Sequence, residues 1–249
     1  MTEREILNQI KQTHPIIEGE RTTWLNPTSV AETFNIPVEM ADKVAMEYNS
    51  EILLNQIKQT HPIIKGERTT WLNPTPLVET FNIPMEMANK VAMGYNSEIL
   101  LNQIKQTHPI IEGERTTWLN PTSVAETFNI PMEMADKVAM EYNSEILLNQ
   151  IKQTHPIIEA ERTTWLNPTP LVETFNIPME MANKVAMEYN SEILLNQIKQ
   201  THPIIEGEKT TWLNPTSLIE TFNIPMEIAI KVANKYNAQI VSISQGISR

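Results

Sequence analysis

"EILLNQIKQTHP", Glu51 to Pro62, is the stretch on which the fold turns. Its apolar residues, Ile52, Leu53, Leu54 and Ile57, have helical spacing, and it stops at His61-Pro62, where the proline ring cannot continue the hydrogen-bond ladder. The same stretch returns at 98, 145 and 192, and a variant, "REILNQIKQTHP", begins at Arg4. His14, His61, His108, His155 and His202 stand 47 residues apart, as do Trp24, Trp71, Trp118, Trp165 and Trp212. Five tandem units follow, at 4–50, 51–97, 98–144, 145–191 and 192–238, with a terminal fragment "QIVSISQGISR" at 239–249. The period lies in the range of helical solenoid repeats.

Call the quoted stretch helix one. A polar connection follows, "IIEGERTTWLN" in the first unit. The next start signal is clearest in the second unit, where Thr75 precedes Pro76 and Glu79 falls in the first turn: a cap, a first-turn proline and an acid that complements the helix dipole. Helix two is therefore short, roughly "PLVETF". Asn82-Ile83-Pro84 makes a turn and opens helix three, "PMEMANKVAMGYN". Asn96-Ser97 either breaks the chain before the next helix one or lies within one continuous helix. No strand is expected. The predicted fold is an all-α α-solenoid of five 47-residue three-helix repeats with a capping half-repeat, forming a single repeat domain over 1–249.

Stacking is argued from the two ends. A free-standing unit of this size without metal or disulfide is marginal, because ordering costs on the order of 1.5 kcal/mol per residue. The first unit reads Glu5, Ile6, Leu7 and Ile10, so only the position of Ile52 becomes polar. The terminal fragment keeps Ile240 and Val241 but places Ser242 and Gln245 where inner units have Leu and Ile, and adds Gly246. At 100° per residue, Leu54 and Ile57 lie about 200° and 140° from Ile52, on opposite faces of one helix. Ile52 is thus expected to look back to the preceding copy and Leu54 and Ile57 forward to the next. Polar ends are what a capped solenoid requires. The five Trp residues are expected to plug the gaps between copies. Ile230 is the exception: it replaces Asp42, Asn89, Asp136 and Asn183, and either packs on the terminal fragment or joins molecules end to end.

Composition narrows the function classes. A chain of 249 residues with 41% hydrophobic content can build a sizeable core. The absence of cysteine rules out disulfides, thiolate metal sites and a cysteine nucleophile. A net charge of -11 disfavours general attraction to nucleic acid or anionic membranes. "MTEREILNQIKQTHP" has no apolar run of signal-peptide length, so a cytoplasmic location with no membrane partner is expected. Units one and three share "SVAETFNIP" and "EMADKVAM", and units two and four share "PLVETFNIP" and "EMANKVAM", the mark of a copied two-unit block.

"PTSVAETFNIPMEMADKVAM" in the third unit resembles the helix-turn-helix motif of bacterial regulators. Ala125 fits the small residue of its first helix, Phe128 and Ile130 the apolar pair around the turn, and Val138 the core position of the second helix. The resemblance departs at Asn129, in place of the usual turn glycine, and at Val78, Val172 and Ile219, in place of the small residue. It implies a tri-helical module whose third helix would enter a major groove. That helix offers Pro131, Met132, Glu133 and Asp136 with Lys137 alone basic, a poor match to phosphates. The "FNIP" turn with "ADKVAMEYNSEILL" is also similar to three-helix ubiquitin-associated modules.

The remaining constellations carry little chemistry. Packed helices lie ~8–10 Å apart, too far for histidines of successive copies to share a metal, so each histidine is read as favouring the carbonyl end of helix one. Glu112, Glu114 and Arg115 before "TTWLNP" are read as solvated, and Ala160 at the glycine position of the loop implies that no positive backbone angle is required there. Met132, Met134 and Met140 are read as core rather than as an adaptable surface. There is no phosphate-cradling loop, zinc spacing or activated nucleophile, so neither catalysis nor a cofactor is expected. Three functional readings remain: a scaffold presenting a periodic surface to a protein partner or to itself; a nucleic-acid-binding array using Lys43, Lys90, Lys137, Lys184 and Lys231; and an amplified or engineered repeat with no ligand.

Overall fold

The computed structural model describes residues 1–16, 22–67, 69–111, 113–114, 116–158, 164–205 and 210–244. Among these, eleven helices form and no strand: α1 (Glu3–Thr13), α2 (Pro27–Phe34), α3 (Val38–Thr60), α4 (Pro74–Phe81), α5 (Met85–Thr107), α6 (Pro121–Phe128), α7 (Met132–Thr154), α8 (Pro168–Phe175), α9 (Met179–Thr201), α10 (Pro215–Phe222) and α11 (Met226–Ser244). The three helical segments read in each copy are present. The third runs without a break into the first of the next copy, giving helices of 23 residues such as α3 and α5.

Each short helix begins two residues earlier than its sequence signals implied. Asn73, not Thr75, caps α4, its side chain accepting from the Thr75 N–H at 3.0 Å, and Pro74 takes the first helical position. Pro76 is tolerated because N–H groups in the first turn have no intrahelical acceptor. The helix ends at Asn82 in the left-handed region, φ 50°, a conformation that asparagine accepts more readily than most residues. Proline then opens the long helix, as where the Ala41 N–H donates to the Pro37 carbonyl at 3.1 Å. The loop glycines depart from expectation: Gly66 and Gly113 adopt φ of 89° and 85°, where a side chain is strained. Ala160 lies outside the described residues.

The chain divides into two compact bodies, Met1–Pro109 with Leu119–Glu141, and Ile110–Trp118 with Tyr142–Arg249. In the first, α1 packs on α3 and α3 on α5, with α2 against α3 and α4 against α5; in the second, α9 packs on α11, with α8 against α9 and α10 against α11. Each is a stack of one repeating layer, the packing of an α-solenoid.

The cores are built copy by copy. In the first body Ile6, Ile10, Val30, Val44 and Tyr48 gather with Ile52, the first apolar residue of the following copy. The next cluster joins Leu53, Ile57, Leu77, Val91 and Tyr95 with Ile99, again borrowed from the copy that follows, and Leu54 packs against it. In the second body Ile198, Leu218, Val232 and Tyr236 form the corresponding cluster, with Ile240 against it. At the N-terminal end Glu5 takes the register of Ile52. It closes a capping box, receiving the Thr2 N–H at 2.7 Å while its own N–H donates to the Thr2 hydroxyl at 3.3 Å. At the other end the Ser242 side chain, Gln245 and Gly246 lie outside the described residues.

Ion pairs link neighbouring layers. Lys11 meets Glu51 at 2.5 Å, Lys58 meets Glu98, and in the second body Lys152 meets Glu192 at 2.6 Å. A second set joins Lys90 to Glu47 and Lys231 to Glu188. Burial raises the pKa of Glu188, but its hydrogen bond to Lys231 and the charges of Lys231 and Lys235 outweigh this and hold the carboxyl below its ordinary value.

This second set lacks a rung at Gly94, which occupies the register of Glu47 and Glu188. Lys137 has no carboxylate partner among the described residues. Gly94→Glu is expected to stabilise the chain by about 1 kcal/mol, from removing a mid-helix glycine and adding a half-exposed ion pair. A Cβ there would lie 3.1 Å from the end of the Leu54 side chain, which can turn aside, and 3.9 Å from the Lys137 ammonium. Chemical denaturation checks this. An unchanged or lowered midpoint would show that the Leu54 contact dominates.

Candidate interaction surface

In the first, second, fourth and fifth copies one side chain holds the Trp-bearing loop to the long helix. The buried Asn96 accepts the Leu72 N–H at 2.7 Å and donates to the Leu72 carbonyl at 3.0 Å, pairing with that residue as a neighbouring strand would. Beside it the Tyr95 hydroxyl donates to the His61 carbonyl at 2.9 Å, fastening the end of one long helix to the middle of the next. Burial, then the charge of Glu98, raises the Tyr95 pKa, so the phenol stays a donor. Ser97 donates to the Met93 carbonyl at 2.6 Å and remains helical. These bonds explain why Asn-Ser does not interrupt the helix here: Ser97 is satisfied within it and Asn96 by the backbone of Leu72.

Asn49 binds Leu25, Asn190 binds Leu166 and Asn237 binds Leu213 in the same way. The Tyr-Asn pair carries this brace, although its spacing suggests no chemistry. Its signal lies in persistence: Tyr236-Asn237 survives in the fifth copy, where the neighbours change to "NKYNAQ".

Within this frame the singled-out residues have distinct environments. Trp24 is half-buried and packs against two core clusters of the first body, whereas Trp71, Trp165 and Trp212 are 39%, 38% and 45% exposed. Trp118 is half-buried. The indole therefore fills a gap between copies at Trp24 and presents much of its surface to solvent at the other three. Ile52 and Ile57 are buried in successive clusters, and Leu54 is half-buried. Ile230 is half-buried in a register where Asp42, Asn89, Asp136 and Asn183 are exposed.

The methionines divide between core and surface. Met87, Met134 and Met181 are buried and Met140 is half-buried, while Met85, Met132 and Met179 are 46%, 46% and 45% exposed. Phe81, Phe128 and Phe175 are also exposed, each at the end of the short helix that leads through the Asn-Ile-Pro turn to the exposed Met. The first copy has Val38 in this place; in the fifth, Phe222 is exposed but Met226 is buried. Of the helix-turn-helix positions, Val138 is fully buried, Ala125 and Ile130 are half-buried, and Phe128 is exposed.

The histidines lie at helix ends. The His61 N–H donates to the Ile57 carbonyl at 2.7 Å, and its ring Nδ1 lies 2.9 Å from the Thr60 hydroxyl. Among the described residues no cluster of His, Asp or Glu could hold a metal, and no helix is long and apolar enough to cross a membrane. Glu114 is exposed; Glu112 and Arg115 lie outside the described residues.

No family model, curated protein or solved structure matches this chain.

Proposed function

We propose that the chain is a cytoplasmic helical-repeat scaffold, without catalytic chemistry or cofactor, that presents one apolar and acidic surface in successive copies to a protein partner. The recurrence of an exposed Phe and an exposed Met at the same two places in the second, third and fourth copies carries this reading. Scattered surface apolar residues are ordinary, but the same pair recurs at one place in the second and third copies, within the first body, and again in the fourth copy, in the second body. Linked sites of this kind raise effective concentration, so a repetitive partner is held more tightly than by any one copy.

The nucleic-acid reading receives less support. Glu133 and Asp136 are exposed at the start of α7, where the helix-turn-helix resemblance would put phosphate neighbours.

The test uses the whole chain as bait, bearing Met85→Ser, then Met132→Ser in addition, then Met179→Ser. Avidity can exceed single-site affinity by ~10²–10⁴-fold. Recovery of a specific partner should therefore fall progressively and be lost in the triple variant, with helicity by circular dichroism unchanged. Undiminished recovery by the triple variant would refute the surface.

A further inference from the structure

The charge around the exposed Met132 is predominantly acidic. Glu133 follows it, Asp136 lies four residues on and shares its side of α7, and Glu126 stands on α6 just before the turn. All three carboxylates are exposed, and none forms an ion pair among the described residues. Two cations stand nearby: Lys137, whose ammonium lies over Gly94 of α5, and Lys90, which feels the charge of Glu133 and pairs with Glu47. The first copy keeps Val38, Glu39 and Asp42 exposed, but its Phe34 is half-buried against the core.

This pattern selects among occupants. A second copy of the same face would bring like charges together as water is excluded, which opposes self-pairing through it. Nucleic-acid phosphates and anionic lipids are repelled for the same reason. An apolar side chain flanked by Lys or Arg is complementary in both respects.

We propose, resting on the scaffold reading above, that the occupant is a basic amphipathic segment of a protein partner: an apolar side chain seats on Phe128 and Met132, and its cations pair with Glu133 and Asp136. The copies are not equivalent for this purpose. Asp occupies the decisive register at Asp42 and Asp136, and Asn at Asn89 and Asn183, so the first and third copies attract a cation more strongly. The fifth copy, with Met226 buried and Ile230 in that register, lacks the site.

The experiment titrates the full chain into a fluorescent Leu/Lys peptide of about 18 residues, five turns of amphipathic helix. A Leu/Glu peptide and a Lys/Ser peptide of the same length, and a DNA duplex, serve as separate arms. The Leu/Lys peptide should bind at least about tenfold more tightly than the other three ligands, and Asp42→Lys with Asp136→Lys should weaken it by about tenfold. Glu67→Lys with Glu114→Lys changes net charge equally in exposed loops and should leave the affinity within about twofold.

Equal losses in the two double variants would overturn the proposal by showing attraction to overall charge alone. So would failure of the Leu/Lys peptide to bind, or duplex binding as tight as the peptide's. Equal or tighter binding of the Leu/Glu peptide would overturn the basic partner while leaving the scaffold reading intact. That reading fails separately, by undiminished partner recovery in the methionine series.

Discussion

Ile52→Glu is expected to destabilise the first body by at least about 4 kcal/mol, combining loss of a buried aliphatic side chain with burial of a carboxylate. Ile52 is 2% exposed and lies among Ile6, Ile10, Val44 and Tyr48, all from the preceding copy. Its substitution would open the contact between the layer containing α1 and α2 and the layer that follows. Hydrogen exchange should show α1 and α2 losing protection first while α5 retains it. The same carboxylate is harmless at Glu5, where the side chain is exposed and occupied by the capping box. A uniform loss of protection, or a cost below about 1 kcal/mol, within the range of surface substitutions, would mean that the borrowed isoleucine does not couple the layers.

The second large effect is expected at the loop brace. Asn96→Ala should cost about 2–3 kcal/mol, because it leaves both backbone groups of Leu72 without their partner. Leu72 is half-buried, so water replaces part of what is lost. Asn96→Leu separates bonding from volume, since it keeps the side chain's bulk and removes both hydrogen bonds. Denaturation midpoints lowered similarly by the two variants would assign the cost to the bonds. Loss in Asn96→Ala with recovery in Asn96→Leu would assign it to packing and refute the brace.

Much of this architecture could be read from residue spacing. The opposed apolar faces of "EILLNQIKQTHP" are a property of angle alone, and Ile52 and Ile57 indeed fall in successive clusters. The continuity of the long helix was not legible, because Asn-Ser is a stop signal unless something satisfies those side chains. What satisfies Asn96 is the backbone of Leu72, 24 residues away. The cap of α4 was misplaced for a local reason: both Asn73 and Thr75 stand before a proline, and either could serve. The exposed surface was hardest to read, since Met85 and Met87 have the same chemistry and only their opposite sides of α5 make one exposed and the other buried. The inter-layer ion pairs were equally hidden, because partners such as Lys58 and Glu98 are joined by stacking rather than by helical spacing.

A long helix such as α3, half of it belonging to one copy and half to the next, restricts how such a gene can change length. Recombination between copies that keeps the phase rejoins half-helices in correct register, so whole periods can be gained or lost with every junction intact. Slippage by a single codon within that helix would instead rotate all following side chains by about 100° and turn Leu53 and Ile57 out of their layer. The number of copies is therefore free to drift, while the length of each is held by the pitch of the helix.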